Sequence, residues 1–263
     1  MIAALFGPGR TLFLPFMTAG LPNPAASPSL FAAMAEAGAD GFEVGIPYSD
    51  PLMDGPVIQR GSDAALAAGT SLGVAFETMR HIADTTQRPL LAMTYANPLL
   101  RLGADVFCRR LKDAGAEGVI VPDLPLEESG EVAEAAERHR IGMVHFVAPT
   151  TGEDRIRRVA AAGPLFIYGV ADLGVTGERT GVSTHVADLS RRVRAITDLP
   201  LVLGVGISTP DQAAVVAPYA DGVIVGSALV RLVLESDSAD EAIDRVSRTV
   251  GLFRAALDGV NTP

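Results

Sequence analysis

The sequence predicts a single α/β domain, a (β/α)8 TIM barrel with extra helices that spans residues 1–263. Short apolar runs alternate along the chain with longer stretches of helical periodicity, and eight such units occur. Because buried parallel strands are apolar along their length, this alternation indicates a parallel sheet covered by helices. The length of 263 residues also suits a barrel, which takes roughly 250 residues. No linker rich in Pro, Ser or Gly divides the chain.

The predicted strands are 12–17, 41–46, 90–95, 118–121, 143–147, 165–170, 201–205 and 222–225. The predicted helices are 30–39, 72–85, 104–114, 127–140, 153–162, 185–196, 211–219 and 239–257. The gap between the second and third strands is longer than one crossover helix requires. We expect a functional loop there, followed by an extra helix near residues 58–68.

Composition excludes several classes of protein. A formal net charge of −10 argues against a nucleic-acid partner, since phosphate backbones are bound by basic surfaces. One cysteine, Cys108, cannot build a disulfide framework. The sequence has neither an apolar run long enough to span a membrane nor a signal-peptide pattern at its start. We therefore expect a cytoplasmic protein.

Barrel enzymes place their chemistry at the carboxyl ends of the strands. The seventh predicted strand is followed by residues 204–208, GVGIS, and the eighth by Gly226 and Ser227. Barrels often bind phosphate at these two loops through backbone N–H groups and a helix N-terminus. The pattern predicts a phosphate site, although each glycine alone could simply form a tight turn.

Glu43 interrupts an apolar strand. With a period of two it shares one face with Gly41 and Gly45, while Phe42 and Val44 share the other. The bulky pair should contact the helices, so Glu43 should point into the barrel mouth. A buried carboxylate is costly unless it is paired or functional, which leaves a core ion pair as the alternative.

Three further carboxylates follow strands. Asp50 and Asp54 lie in the loop after the second strand, and either could instead cap a turn. Asp123 follows the fourth strand, where capping the next segment is the favoured role. The glycine-containing loop at residues 168–177 predicts either a mobile lid over the site or an ordinary surface loop.

Other chemistries are disfavoured by what the sequence lacks. The four histidines are scattered without metal-ligand spacing, so no metal site is expected. The single lysine, Lys112, lies in a predicted helix, where it cannot serve a Schiff-base aldolase. No P-loop or Gly-x-Ser-x-Gly motif is present. Carboxylate acid–base catalysis on a phosphorylated substrate remains.

At residues 43–59 the sequence reads EVGIPYSDPLMDGPVIQ, which resembles the signature of tryptophan synthase alpha chains. Supporting matches lie in order along nearly the whole chain, at residues 15–20, 93–98, 122–125, 174–177, 204–208 and 226–228. The resemblance implies a lyase that splits indole-3-glycerol phosphate into indole and glyceraldehyde 3-phosphate by a retro-aldol reaction in tryptophan biosynthesis.

The resemblance also assigns residues. It implies that Glu43 and Asp54 are the catalytic carboxylates. Asp54 would hydrogen-bond the indole N–H, while Glu43 would protonate C3 and help to take the proton from the departing glycerol hydroxyl. The implied substrate-binding residues are Phe16, Ile58 and Tyr95 around the indole ring, the active-site tyrosine Tyr168, the closing-loop residues Thr176 and Gly177, and the phosphate-site residues Gly206, Gly226 and Ser227.

The family works with a beta chain that carries pyridoxal phosphate, so the resemblance implies an αββα tetramer and no cofactor in this chain. The loops at 47–52 and 174–179 would contact the partner. The chain departs from the family pattern at Leu21, where relatives often have aspartate, and at Ala171, where a serine is usual near the lid; it is also short before the first strand. The alternatives are a stand-alone indole-3-glycerol phosphate lyase, a mainly non-catalytic activator of a beta chain, and another phosphate-binding barrel.

Overall fold

Eight parallel strands close into a barrel in a computed structural model that describes residues 2–7, 9–170, 184–204 and 206–260. Each strand pairs with the next in chain order, and the eighth pairs with the first. The predicted fold class is confirmed. The strands are β1 (Leu12–Thr18), β2 (Phe42–Gly45), β3 (Leu90–Met93), β4 (Ala116–Ile120), β5 (Gly142–Val147), β6 (Ile167–Val170), β7 (Leu201–Gly204) and β8 (Gly222–Val225).

Helices surround this barrel, and short 3-10 turns occur at Ile2–Ala4, Leu126–Glu128 and Ala217–Tyr219. The α-helices are α1 (Ser27–Glu36), α2 (Pro56–Ala67), α3 (Leu72–Thr86), α4 (Ala96–Leu102), α5 (Ala104–Asp113), α6 (Gly130–His139), α7 (Glu153–Ala161), α8 (Thr184–Arg194), α9 (Pro210–Val216), α10 (Ser227–Leu234) and α11 (Ala239–Val260). Helix α2 confirms the extra helix expected between the second and third strands.

Two helices, α4 and α10, were not predicted. Helix α4 contains Pro98 at its third position, which is tolerated because the N–H groups of a first helical turn have no partner within the helix. Helix α10 is short, has only Ser227 and Arg231 as polar residues, and packs against β1, α2 and α11. Two polar positions are too few to mark an amphipathic helix in the sequence. Among the described residues, no helix has both the length and the apolar character needed to cross a membrane.

The register of the second strand fixes the direction of its side chains. Glu43 pairs with Phe16 of β1 and with Leu91 of β3. The neighbouring Phe42 points outward, and its ring meets Phe31 of helix α1 edge-on at a centroid distance of 5.2 Å. Because successive side chains of a strand alternate between its faces, Glu43 points into the barrel.

A buried ion-pair network lies at the amino ends of β1 and β2. Asp40 accepts hydrogen bonds from Arg254 of α11 at 3.1 Å, from Arg10 at 2.6 Å and from the backbone N–H of Phe13 at 2.9 Å. Arg254 also donates to the carbonyl of Thr11 at 3.2 Å. This network joins the last helix to the first strand with its central carboxylate fully paired.

Leu21, one of the departures from the family pattern, belongs to the hydrophobic core. It is 1% exposed, and a β-carbon added to Gly61 of α2 would lie 3.4 Å from its side chain. The segment after β1 is therefore held by apolar packing against helix α2, at a position where a charged side chain would be buried.

Candidate active site

A cavity of about 550 Å³ opens at the carboxyl ends of the strands. Its walls are mainly apolar, and its polar groups come from separate strands and loops. The lining residues include Phe16, Glu43, Asp54, Ile58, Met93, Ile120, Phe146, Ala148, Thr151, Tyr168, Gly206, Gly226 and Ser227. A concave apolar site with a few converging polar groups is the usual form of a small-molecule site.

Glu43 is the most deeply buried acid of this cavity, with 4% of its surface exposed. The hydroxyl of Tyr168 hydrogen-bonds its carboxyl group, while its Oε2 atom has no hydrogen-bond partner. Burial, followed by the charge of Asp54, raises its pKa from 4.5 to about 8, although the Tyr168 bond opposes the change. At neutral pH this carboxyl group therefore keeps its proton.

Asp54 lies in the loop between β2 and α2 and is half-buried. Burial raises its pKa from 3.8 to about 6, and the hydrogen bond from Tyr95 opposes that rise. The Tyr95 hydroxyl also accepts the backbone N–H of Met53 at 3.2 Å, and Gln59 of helix α2 donates to the Asp54 carbonyl at 2.9 Å. The loop is thus fixed from two other elements, with the Asp54 carboxylate facing the cavity.

The two carboxyl groups are in opposite states near pH 7. Each ionises less readily because both are partly or wholly removed from water, and the charge of Asp54 further opposes ionisation of Glu43. Between pH about 6 and about 8 the pair consists of an ionised Asp54 and a protonated Glu43. A base and an acid side by side are what acid–base catalysis requires.

Tyr168 is held beside Glu43 by packing. Its ring lies 4.9 Å from that of Phe146 between centroids. Gly204 on the neighbouring strand leaves the space for its hydroxyl, since a β-carbon there would lie 2.2 Å from the oxygen. Burial and the neighbouring Glu43 raise the pKa of Tyr168 well above its usual range, so this hydroxyl stays protonated and acts as a donor.

Another part of the cavity wall is formed by the loops after β7 and β8. Gly206, in the left-handed region at φ +79°, lines it together with Gly226 and Ser227 at the N-terminus of helix α10. Ser208 is less available, because its N–H and hydroxyl both bond the side chain of Gln212 at 2.8 and 3.0 Å. Within the described part of the chain, no arginine or lysine lines the cavity. The helix N-terminus and backbone N–H groups are therefore the groups suited to an anion.

The chain matches the family model described as tryptophan synthase alpha chain over residues 2–258. It is 42% identical over 258 residues to the tryptophan synthase alpha chain of Streptomyces avermitilis, covering 98% of this chain and 93% of that one. The relative from Geobacter sulfurreducens is 43% identical, with 94% of each chain covered. The chain belongs to the tryptophan synthase alpha chain family.

Solved structures with the same fold support this membership. A structure of Mycobacterium tuberculosis tryptophan synthase superposes with a TM-score of 0.85 at 37% identity, covering 95% of this chain and 93% of that one. The tryptophan synthase alpha subunit of Legionella pneumophila gives a TM-score of 0.84 at 33% identity, with 95% and 93% covered. Members of this alpha chain family are lyases that cleave indole-3-glycerol phosphate.

The structure brings together most of the residues that the alpha chain resemblance assigned. Tyr95 does not line the cavity but reaches it through its bond to Asp54. Of the loop expected at 168–177, residues 168–170 end strand β6. Residues 171–177, which include Ala171, Thr176 and Gly177, lie outside the described residues. The residues that line the cavity as expected are Phe16, Glu43, Asp54, Ile58, Tyr168, Gly206, Gly226 and Ser227.

Two other carboxylates are used elsewhere. Asp50 is exposed and accepts the hydroxyl of Ser49 at 2.6 Å. Asp123 accepts the N–H of Ala96 at 2.9 Å, so it caps helix α4 rather than the next segment. The prediction for Asp123 was wrong about the helix because β3 and β4 end side by side. The carboxyl end of one strand thereby meets the helix that follows its neighbour.

Several apolar wall residues were missed from the sequence. Met93, Ile120 and Phe146 are the last inward side chains of β3, β4 and β5. Strand alternation could have indicated that they point inward, but their height in the barrel depends on the register between strands. In the described residues, no three His, Cys, Asp or Glu side chains form a group suited to a metal ion.

Proposed function

We propose that the chain is a tryptophan synthase alpha subunit whose Glu43 and Asp54 carry out the retro-aldol cleavage of indole-3-glycerol phosphate to indole and D-glyceraldehyde 3-phosphate. The observation that carries the proposal is the pair itself. A protonated Glu43 and an ionised Asp54 share an apolar cavity between pH about 6 and about 8. The continuous core of the barrel supports residues 1–263 acting as one catalytic domain.

Asp54 stabilises positive charge on the indole ring. When C3 is protonated the ring becomes cationic, and a carboxylate that accepts the indole N–H bond lowers the energy of that state. The pKa of about 6 keeps Asp54 ionised at neutral pH. Tyr95 and Gln59 hold its loop in place before the substrate arrives, so little reorganisation is needed.

Glu43 supplies and removes protons. Its carboxyl group first gives a proton to C3, which makes the indole ring the acceptor for the electrons of the breaking C3–glycerol bond. The resulting carboxylate then takes the proton of the departing glycerol hydroxyl, which becomes the aldehyde. The raised pKa of about 8 makes Glu43 a competent acid near neutral pH, and Tyr168 stabilises the anion that forms between the two transfers.

The remaining lining residues account for the rest of the substrate. Phe16 and Ile58 supply apolar walls for the indole ring on the side where Glu43 and Asp54 meet. Gly206, Gly226 and Ser227 would bind the phosphate through backbone N–H groups and the N-terminal dipole of helix α10. Thr176 and Gly177 would close the site by analogy with the family.

The partner would be a tryptophan synthase beta chain in an αββα tetramer, with pyridoxal phosphate held by that chain. The loop that carries Asp54 supports this. Its side chains Leu52 and Met53 are 87% and 63% exposed, although both are large and apolar. Exposed apolar groups of this kind mark protein contact sites. A partner bound there would act directly on the loop that positions Asp54.

The test is indole release from indole-3-glycerol phosphate, measured with the purified chain alone and with a cognate beta chain. We expect slow release alone and a strong increase with the partner. Fast release that ignores the partner would instead identify a stand-alone lyase, and no release in either condition would refute the catalytic assignment.

Two variants make the assay specific to this site. Asp54→Asn should lower release about 10³-fold, because removing one group that stabilises transition-state charge typically costs 10²–10³-fold. Asp63→Asn, which removes an exposed carboxylate on the outside of α2, is the control and should match the unmodified chain. Equal activity of both variants would contradict the role of Asp54.

A further inference from the structure

The loop after β5, residues 148–151, forms one wall of the cavity through Ala148 and Thr151. It is a closed turn in which the Thr151 N–H donates to the Ala148 carbonyl at 2.9 Å. The Ala148 N–H in turn donates to the Thr151 hydroxyl at 2.8 Å. Because both ends are bonded, the turn moves as a unit, and displacing its outer carbonyls would displace the cavity wall.

Arg192 of helix α8 holds this turn from outside. One guanidinium nitrogen donates to the carbonyl of Thr151 at 2.5 Å and the other to that of Pro149 at 2.7 Å. The third nitrogen donates to Asp188 at 2.7 Å, which orients the planar group toward the two carbonyls. The Arg192 side chain is only 15% exposed, so solvent competes weakly for these bonds.

Helix α8 has its own attachments to the barrel. Ser190 donates to the carbonyl of Tyr219 at 2.7 Å, and Arg194 pairs with Asp221 at 3.2 Å. The apolar side chains Val186, Leu189 and Val193 are fully buried. The helix would therefore stay in place without Arg192. The two hydrogen bonds from Arg192 to the turn can thus be removed without displacing helix α8.

We propose that Arg192 is a positioning residue for the active site, which fixes the Ala148–Thr151 wall against helix α8 and thereby sets substrate affinity. It acts through the wall and not on the carboxylates, since Arg192 is not among the groups that shift the pKa of Glu43 or Asp54. The inference rests on the proposed function, because its main readout is cleavage of indole-3-glycerol phosphate.

The main variant is Arg192→Met, which keeps an unbranched apolar chain but removes every donor. A loosened wall weakens the bound substrate and the transition state alike, so KM should rise about tenfold with kcat within about twofold. The pH at which kcat/KM falls on the alkaline side should stay unchanged, because the two carboxyl groups are not affected. Arg192→Lys keeps the charge, but a single ammonium group cannot reach both carbonyls and Asp188 at the same time. We expect it to raise KM less than Arg192→Met does.

Arg191→Met is the matched control. Arg191 lies on the same helix and pairs with the same Asp188 at 2.5 Å, but its side chain is 74% exposed and, within the described part of the chain, it makes no hydrogen bond to the turn. Its loss removes the same charge without releasing the wall, so KM should stay unchanged. Asp188→Asn should raise KM less than Arg192→Met, and the double variant should be no worse than Arg192→Met.

Hydrogen–deuterium exchange supplies a readout that does not depend on turnover. The amides of Ala148 and Thr151, both hydrogen-bonded in the turn, should exchange at least tenfold faster in Arg192→Met than in Arg191→Met. Equal exchange and equal KM in the two variants would overturn the inference. An unmodified chain that fails to cleave the substrate would instead refute the proposed function, and the exchange comparison would still decide whether Arg192 holds the wall.

Discussion

Two buried acids lie three residues apart at the second strand, and they differ in almost every contact. Asp40, just before the strand, is bonded to Arg10, Arg254 and a backbone N–H. Glu43, within the strand, has one tyrosine hydroxyl and an Oε2 atom without a partner. Both are about equally hidden from water, at 4% exposure each.

The contrast separates structural from catalytic burial. A buried carboxylate that is paired through both oxygens joins the elements around it. An unpaired one resists ionisation, which lowers stability at high pH and leaves a proton available for chemistry. We infer that burial alone says little about the role of an acid, and that the groups bonded to its oxygens decide it.

The largest expected effect is on catalysis at Glu43. Glu43→Gln keeps the shape of the side chain but removes the transferable proton, so kcat for indole release should fall about 10³-fold, within the range for loss of a general acid–base group. Glu153→Gln, at a 59% exposed position on helix α7, should retain full activity. Near-normal turnover of Glu43→Gln would refute the assigned role.

The next effect is on stability at Asp40. Asp40→Asn removes the buried counter-charge of the Arg254 guanidinium, which is 8% exposed, and leaves it the more exposed Asp258 at 2.6 Å. The free energy of unfolding in urea should therefore fall by about 3 kcal/mol. Asp105→Asn breaks the contacts of an exposed carboxylate with Arg138 and His139, which should lower the stability far less because solvent screens them. Activity per folded molecule should be unchanged in both variants. Equal stability losses would show that burial does not make the Asp40 network more stabilising than an exposed ion pair.

A smaller effect appears in the pH dependence of stability. Unfolded Glu43 releases its proton near pH 4.5, whereas the folded chain keeps it until about pH 8. Unfolding therefore releases a proton in this window, and stability falls as the pH rises through it. Glu43→Gln should escape that loss, so it should match the unmodified chain at pH 4.5 and exceed it in free energy of unfolding by a margin that grows steadily up to pH 8.

Urea unfolding at half-unit steps from pH 4.5 to 9 measures this difference. Glu153→Gln serves again as the control and should show a constant offset. A difference between Glu43→Gln and the unmodified chain that stays flat over the window, or that shrinks with rising pH, would show that Glu43 is ionised in the folded protein.

The smallest effect is a shift in a pH profile. In the unmodified chain kcat/KM should rise as Asp54 ionises near pH 6 and fall as Glu43 loses its proton near pH 8. The hydroxyl of Tyr168 lowers the pKa of Glu43, so Tyr168→Phe should move the alkaline limb upward by about half to one pH unit. Tyr219→Phe is the control, and a downward shift in Tyr168→Phe would show that the bond does not favour the Glu43 anion.

How much the sequence predicted depended on how local each feature is. Glu43 could be directed into the barrel because strand alternation needs only its two neighbours on each side. Asp50 and Asp54 could not be distinguished from chemistry alone, since Tyr95, which follows the next strand, and Gln59 on the next helix fix their loop. The resemblance made that choice, and the structure places Asp54 in the cavity.

The contacts that the sequence could not predict join distant segments. The two hydrogen bonds from Arg192 to the turn after β5 join residues that are 41 and 43 positions apart in the sequence. Neither Pro149 nor Thr151 carries a side-chain signal for them, because both accept through backbone carbonyls. Such contacts depend on how the helices pack around the barrel, which no local pattern encodes.

Gly204 shows that the pKa of a catalytic acid can depend on the absence of a β-carbon at another residue. The hydroxyl of Tyr168 occupies the volume that any larger residue at Gly204 would fill. That hydroxyl in turn sets how readily Glu43 gives up its proton. A position with no functional group is thus constrained through sterics as closely as Glu43 is through chemistry. A single added methyl group there would retune the catalytic acid without touching it.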